Sequence, residues 1–96
     1  MATATAKYTG HFKCLIMSPN SILFEGEVKS LLLNGDQGEF EILAYHYPLL
    51  GVLIKGNIII DGGVQRIPVE GGVTRFFANE CIILVEETIK GVAAKG

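Results

Sequence analysis

From Phe12 to Val85 apolar and polar residues alternate, and glycine-rich breaks cut the alternation into short runs. A period of two sends successive side chains to opposite faces, so each run predicts a strand with one dry face and one wet face. Phe12–Met17 places Phe12, Cys14 and Ile16 on one face. Ser18-Pro19-Asn20-Ser21 is turn chemistry, and Ile22–Phe24 follows as a short strand. Glu27–Leu33 puts Leu31 and Leu33 together, and Asn34–Gly38 predicts a turn. In Glu39–Ile42, Phe40 and Ile42 point one way while Glu39 and Glu41 point the other. Leu49–Ile54 and Asn57–Ile60 are two apolar strands joined through Lys55-Gly56. Asp61-Gly62-Gly63 predicts a hairpin turn, because glycine accepts positive φ, and Glu70-Gly71-Gly72 predicts another between Val64–Val69 and Val73–Ala78. Cys81–Val85 aligns Cys81, Ile83 and Val85, and Thr88–Lys90 is a last short strand.

Strands at this spacing with a turn between each pair predict an all-β sandwich or barrel. No substantial helix is expected; the one weak candidate, Thr88–Lys95, is interrupted by Gly91. Several runs are apolar on both faces, including Ile58–Ile60 and Cys81–Val85. Their outer residues, such as Ile82 and Leu84, have nowhere to hide in an isolated sandwich, which points to a partner. The chain has 96 residues, enough for one modest core. With 49% hydrophobic residues, 8% aromatics and no tryptophan, that core must be built from Ile, Leu and Val, which favour strands. The start, "MATATAKYTG", lacks the apolar stretch of a signal peptide and the arginines of a transit peptide, and reads as a mobile arm over residues 1–10. The folded domain is expected over 11–91 and a small-residue tail over 92–96.

The net charge of −2 and the scattered lysines and arginines argue against nucleic acid as a partner. Cys14 and Cys81 lie in apolar strands, with no CxxC and no histidine at ligand spacing, so they read as buried thiols and no metal is expected. Glu39 and Glu41 share a face, and paired carboxylates can act as general acid and base. Yet a small sandwich offers no deep cleft to raise one pKa. His46 lies near these acids between Tyr45 and Tyr47, but no nucleophile accompanies it in a known motif. Asp36 and Gln37 form no phosphate cradle, and neither GxxxxGK[ST] nor GxGxxG is present. No cofactor is expected. Tyrosines, a histidine and leucines on a loop stiffened by Pro48 suit an interface instead, or cap the sandwich edge.

Several segments, in order, resemble the epsilon subunit of F-type ATP synthases. Ser18–Val28 resembles the family's first hairpin, with Leu23-Phe24, Gly26 and Val28 on its pattern. Gly38-Glu39-Phe40, Ile42, His46 and Pro48-Leu49-Leu50 resemble its "GE(L/F)GI.PGH.PLL" segment. Lys55-Gly56-Asn57-Ile58, Glu70-Gly71-Gly72-Val73 and Glu87-Thr88-Ile89-Lys90 are similar to three later motifs. Each piece is weak alone; the ordered set, over about residues 12–91, is specific.

The resemblance implies a ten-stranded β-sandwich of two packed sheets, seated on the rotor's central stalk. It implies contact with the gamma subunit and the polar loops of the c-ring, at the cytoplasmic side of a bacterial inner membrane. Binding would be peripheral, with no chemistry in the domain itself. Glu39, Phe40, Glu41, Ile42 and His46 would face the c-ring; Ser18, Tyr45, His46 and Gly51 would face gamma. Glu41 replaces the family's usual glycine, and Ala44 and Tyr45 replace its proline and glycine, so this loop is bulkier and more acidic. The family usually continues into a helical hairpin that can inhibit hydrolysis or bind ATP; with the chain ending at Gly96, neither is expected here. Two other classes compete: a free-standing ligand-binding or protein-binding β module, and a small hydrolase using Glu39 and Glu41.

Overall fold

The computed structural model describes residues 10–86. They form β1 (Phe12–Met17), β2 (Ile22–Val28), β3 (Ser30–Gly35), β4 (Gly38–Leu43), β5 (Leu49–Ile60), β6 (Gln65–Phe77) and β7 (Glu80–Glu86). The seven strands make one hydrogen-bonded sheet in the order β2-β1-β7-β6-β5-β3-β4. Only β1 and β7 pair in parallel. The sole helical element among the described residues is a 3-10 turn at Asp61–Gly63, and no described helix is long and apolar enough to cross a membrane.

Lys29 alone separates β2 from β3, yet β2 forms one end of the sheet and β3 lies next to the other. One residue cannot span a flat seven-stranded sheet, since strands lie roughly 4.8 Å apart. The sheet is therefore folded over so that its ends meet, with the chain turning the corner at Lys29. Asp61 secures this corner: its Oδ1 accepts the backbone N–H of Lys29 at 2.7 Å and of Ser30 at 3.1 Å. Folding the sheet seals its inner face. Phe12, Cys14 and Ile16 from β1 join Leu31, Ile42, Ile58, Phe76 and Ile83 in one buried cluster. With no covering helix among the described residues, these side chains are shielded by the other half of the same sheet. Phe12 and Phe76 meet edge to face at 5.4 Å between ring centroids.

The alternation groups Phe12, Cys14, Ile16, Leu31, Ile42 and Ile83 on the faces that turn inward but assigns no face to Ile58 or Phe76, and the expected ten strands in two sheets are seven in one. Leu49–Ile54 and Asn57–Ile60 are a single strand, β5, and Val64–Val69 and Val73–Ala78 merge, within a residue at each end, into β6. Along β5 the inward positions shift from Leu53 to Ile58 and Ile60, and along β6 from Ile67 and Val69 to Thr74 and Phe76. The inward face thus changes parity at Ile54–Asn57 and at Gly71-Gly72, where each strand passes between the two halves. The four residues of β3 from Leu32 to Gly35 are matched against the seven of β5 from Ile59 to Leu53. The amide of Asn34 donates to the Lys55 carbonyl at 3.1 Å within that bulged stretch.

Glu70-Gly71-Gly72 is correspondingly no turn. A Cβ on Gly72 would stand 2.3 Å from the Leu84 carbonyl oxygen, so glycine serves close packing of β6 on β7. The turn after β6 is instead Ala78-Asn79, both with positive φ, the two-residue geometry that matches strand twist. Glu27–Leu33, expected as one strand, breaks at Lys29 because the chain changes layer there. The expected strand Thr88–Lys90, nearly all of the arm 1–10 and the tail 92–96 lie outside the described residues.

Candidate functional site

Period-two geometry on edge strand β4 sends Glu39 and Glu41 to solvent and turns Phe40 and Ile42 inward. Ile42 is fully buried in the core and supports the strand from within. Gly51 also faces inward: a Cβ there would meet Thr74 Cγ2 at 3.1 Å and Phe40 Cζ at 3.4 Å. Both positions thus present their side-chain direction to the interior and not to solvent. The groove beside Glu39 runs from Gly35 to Phe40 and from Leu49 to Val52, and includes neither Glu41 nor His46.

Asn79 positions the aromatic loop. Its Oδ1 accepts the Tyr45 N–H at 2.6 Å, its Nδ2 donates to the His11 carbonyl at 3.0 Å, and its own carbonyl accepts the Lys13 N–H at 3.4 Å. The left-handed backbone of Tyr45 is thereby held against the β6–β7 turn. Its ring and that of Tyr47 project, each 75% exposed. His46 folds back, edge to face on Phe76 at 5.8 Å and against Tyr47 at 4.5 Å. Its Nδ1 lies 2.7 Å from the Tyr47 carbonyl. A carbonyl only accepts, so Nδ1 carries the hydrogen, which leaves Nε2 as the acceptor of the neutral ring.

Ser18 lies at the far end of β1 and organises a turn. Its Oγ accepts the N–H groups of Asn20 at 3.3 Å and Ser21 at 3.2 Å, and its own N–H donates to the Ser21 carbonyl at 2.9 Å. The structure thus separates Ser18 from Tyr45 and His46 by the length of a strand. Between them lies a feature that motif reading found only in part, the outer face of the central strands. Register aligns Val52, Val73, Leu84 and Met17 in one row across β5, β6, β7 and β1. The adjacent row is Leu50, Arg75, Ile82 and Leu15. Leu50 is 77% and Val52 51% exposed, and Val73 and Leu84 are each 47% exposed. Ile82 and Leu84 had been legible as outward apolar residues; the contribution of β5 and β6 was not, because it depends on the register.

Cys14 and Cys81 are both free, buried and directly opposite on β1 and β7. Burial pushes both thiols upward, with the Cys81 charge adding to the shift at Cys14. A 3.5 Å hydrogen bond between the Thr74 hydroxyl and the Cys81 sulfur partly offsets the rise at Cys81. Such thiols are poor nucleophiles. Among the described residues no group of three or more His, Cys, Asp and Glu converges on a metal position.

Residues 11–91 match the family described as "ATP synthase, Delta/Epsilon chain, beta-sandwich domain". The chain is 35% identical over 80 residues to the ATP synthase epsilon chain of Sulfurimonas denitrificans, covering 80% of this chain and 62% of that one. It is 34% identical over 79 residues to that of Chlorobium limicola, covering 79% and 90%. In Leptospira borgpetersenii the figures are 40% over 73 residues, covering 74% and 58%. The fold is similar to a chain in the central stalk and c-ring structure of the Tetrahymena thermophila mitochondrial ATP synthase. There the TM-score is 0.68 at 15% identity, covering 78% of this chain and 63% of that one. A chain of the Euglena gracilis mitochondrial ATP synthase gives a TM-score of 0.72 at 15% identity, covering 82% and 52%.

Proposed function

The chain belongs to the ATP synthase delta/epsilon β-sandwich family, and from that premise we propose that it is a non-catalytic central-stalk subunit of an F-type ATP synthase. It docks on the gamma subunit and meets the polar loops of the c-ring, peripheral to the membrane on the cytoplasmic side of a bacterial cell. In this role it passes torque by stiffness and fit while ion flow through the complex drives ATP synthesis. The observation that carries the reading is the outer apolar face: two rows of side chains across four strands, with Leu50, Val52, Val73 and Leu84 exposed and Leu15, Met17 and Ile82 partly so in the isolated domain. A surface of that kind is stabilised when a partner covers it.

Gamma occupies this face, with Ser18 at one end and Tyr45 and His46 at the other. Glu39 and Glu41 present the acidic edge to the c-ring loops, with Phe40, Ile42 and Gly51 shaping the strands behind them. His46 adjoins both contacts. Charge pairs at such an edge set orientation and encounter rate more than affinity. The buried thiols, whose pKa is raised by burial, support a role without chemistry.

Mixing the chain with its cognate gamma subunit is expected to give a complex that co-elutes in size exclusion at low and high salt. Val73→Asp, which places a charge in the middle of the face, is expected to abolish co-elution while leaving the fold intact. Failure of the unaltered chain to associate at any salt concentration overturns the reading.

A further inference from the structure

Arg75 occupies the middle of the outer apolar face. Leu50 lies directly opposite on β5, Ile82 directly opposite on β7, and Val73 and Phe77 flank it along β6. Its side chain points outward because Thr74 and Phe76 on either side point in. The nearest carboxylate by register is the diagonal Glu80, which stands opposite Phe77 and Lys13 at the rim. The Arg75 guanidinium nevertheless has no hydrogen-bond or ion-pair partner among the described residues. An exposed guanidinium in a lone domain is well hydrated and needs none. Once a partner covers the surrounding leucines and valines, that hydration is stripped away. A buried charge left unpaired is strongly destabilising, whereas one met by a carboxylate in bidentate geometry fixes both orientation and register.

We infer that the surface which docks here is apolar and carries an aspartate or glutamate that pairs with Arg75, making Arg75 the residue that sets partner specificity on this face. The inference rests on the central-stalk reading and names the gamma subunit as occupant. The charge distribution favours it: across β5, β6, β7 and β1 the rows through Val52 and Leu50 hold Arg75 as their one charge, and the acid that ends the Leu50 row, Glu25 opposite Leu15, lies on β2, three strands from Arg75. A basic partner surface would therefore meet repulsion at the centre, and a purely apolar one would strand the guanidinium. Arginine is also enriched among residues that dominate interface energetics when desolvated.

The test measures binding of purified chain variants to the cognate gamma subunit held in its complex with the alpha and beta subunits. Arg75→Glu is expected to weaken binding by roughly thirty-fold or more, as for a central interface charge. Arg75→Met keeps the apolar stem, so it is expected to lose less affinity and to flatten the salt dependence. Changing gamma's carboxylates one at a time to lysine is expected to yield one variant that restores Arg75→Glu binding. Wild-type affinity for Arg75→Glu, in an assay where Val73→Asp fails to bind, overturns the inference and leaves the docking face in place. Wild-type affinity for Val73→Asp removes the docking face itself, and both readings fall together.

Discussion

Strand β7 carries apolar residues on both faces, and the two faces have opposite fates. Cys81, Ile83 and Val85 point into the core, and Ile83 is completely buried; Leu84, next along the chain, is about half exposed. Composition does not distinguish these positions, and propensity would place any of them in a strand. What distinguishes them is the fold at Lys29, which lays one half of the sheet over the inner face, while no described residue covers the outer. Inner-face hydrophobicity therefore acts within the molecule as stability. Outer-face hydrophobicity is left unsatisfied by the described residues and can act in binding. The contrast predicts that substitutions one residue apart will be felt in different experiments.

The largest effect is expected where both faces depend on one backbone contact. Gly72→Val forces β6 away from the Leu84 carbonyl and the Val85 backbone, and should destabilise the domain by on the order of 4 kcal/mol in urea unfolding. A loss below 1 kcal/mol would mean that β6 and β7 do not approach this closely. Ile83→Ala comes next, at about 3 kcal/mol for a large-to-small change in the core. Its remaining folded fraction should bind gamma as the unaltered chain does. Leu84→Ala should show the reverse, a stability change within about 0.5 kcal/mol with weakened binding. If the two substitutions affect stability equally, the outer face is already covered and the contrast is wrong.

A smaller effect tests the corner that creates the contrast. Asp61→Ala leaves the N–H groups of Lys29 and Ser30 without their acceptor. The expected loss is roughly 1–3 kcal/mol, with Asp61→Asn recovering part of it because the amide oxygen still accepts. Recovery of the full loss by Asn would assign the contribution of Asp61 to its hydrogen bonds, and none to its charge.

The alternation made every inward residue of β1, β4 and β7 legible, because period two is a local property. The layer changes were not, since they depend on contacts distant in sequence. Lys29 joins two strand-like runs with no turn residue between them, so nothing local marks the corner. Glu70-Gly71-Gly72 carries the signature of a turn, but its glycines admit a neighbouring strand instead. Ala78-Asn79 does turn, with an alanine where glycine or asparagine is customary. The candidate contacts divide in the same way. Glu39 and Glu41 were visible as an outward pair on one strand. Arg75 stood out only once register placed Leu50 and Ile82 on either side of it.

The smallest effect uses the thiols of the inner face. Burial raises the pKa of Cys14 and Cys81 above their unfolded values, so in alkaline solution the folded chain holds protons that the unfolded chain releases. The associated stability is fully present below the unfolded thiol pKa, about 8.5, and is lost as pH rises from there toward the folded values. The urea midpoint should therefore fall between about pH 8.5 and 10, and fall less steeply in the Cys14→Ala, Cys81→Ala double variant. Tyrosine and lysine titration is common to both proteins, so the difference in slope isolates the thiols. Leu84→Cys completes the comparison on the other face. In the double-alanine background its thiol should react with a labelling reagent in the native state at nearly the rate of a free thiol. Cys14 and Cys81 should react only as fast as the domain opens. Rapid native-state labelling of Cys14 or Cys81 would show that the folded sheet does not seal its inner face. Protection of Leu84→Cys in the isolated chain would show that the outer face is covered without a partner.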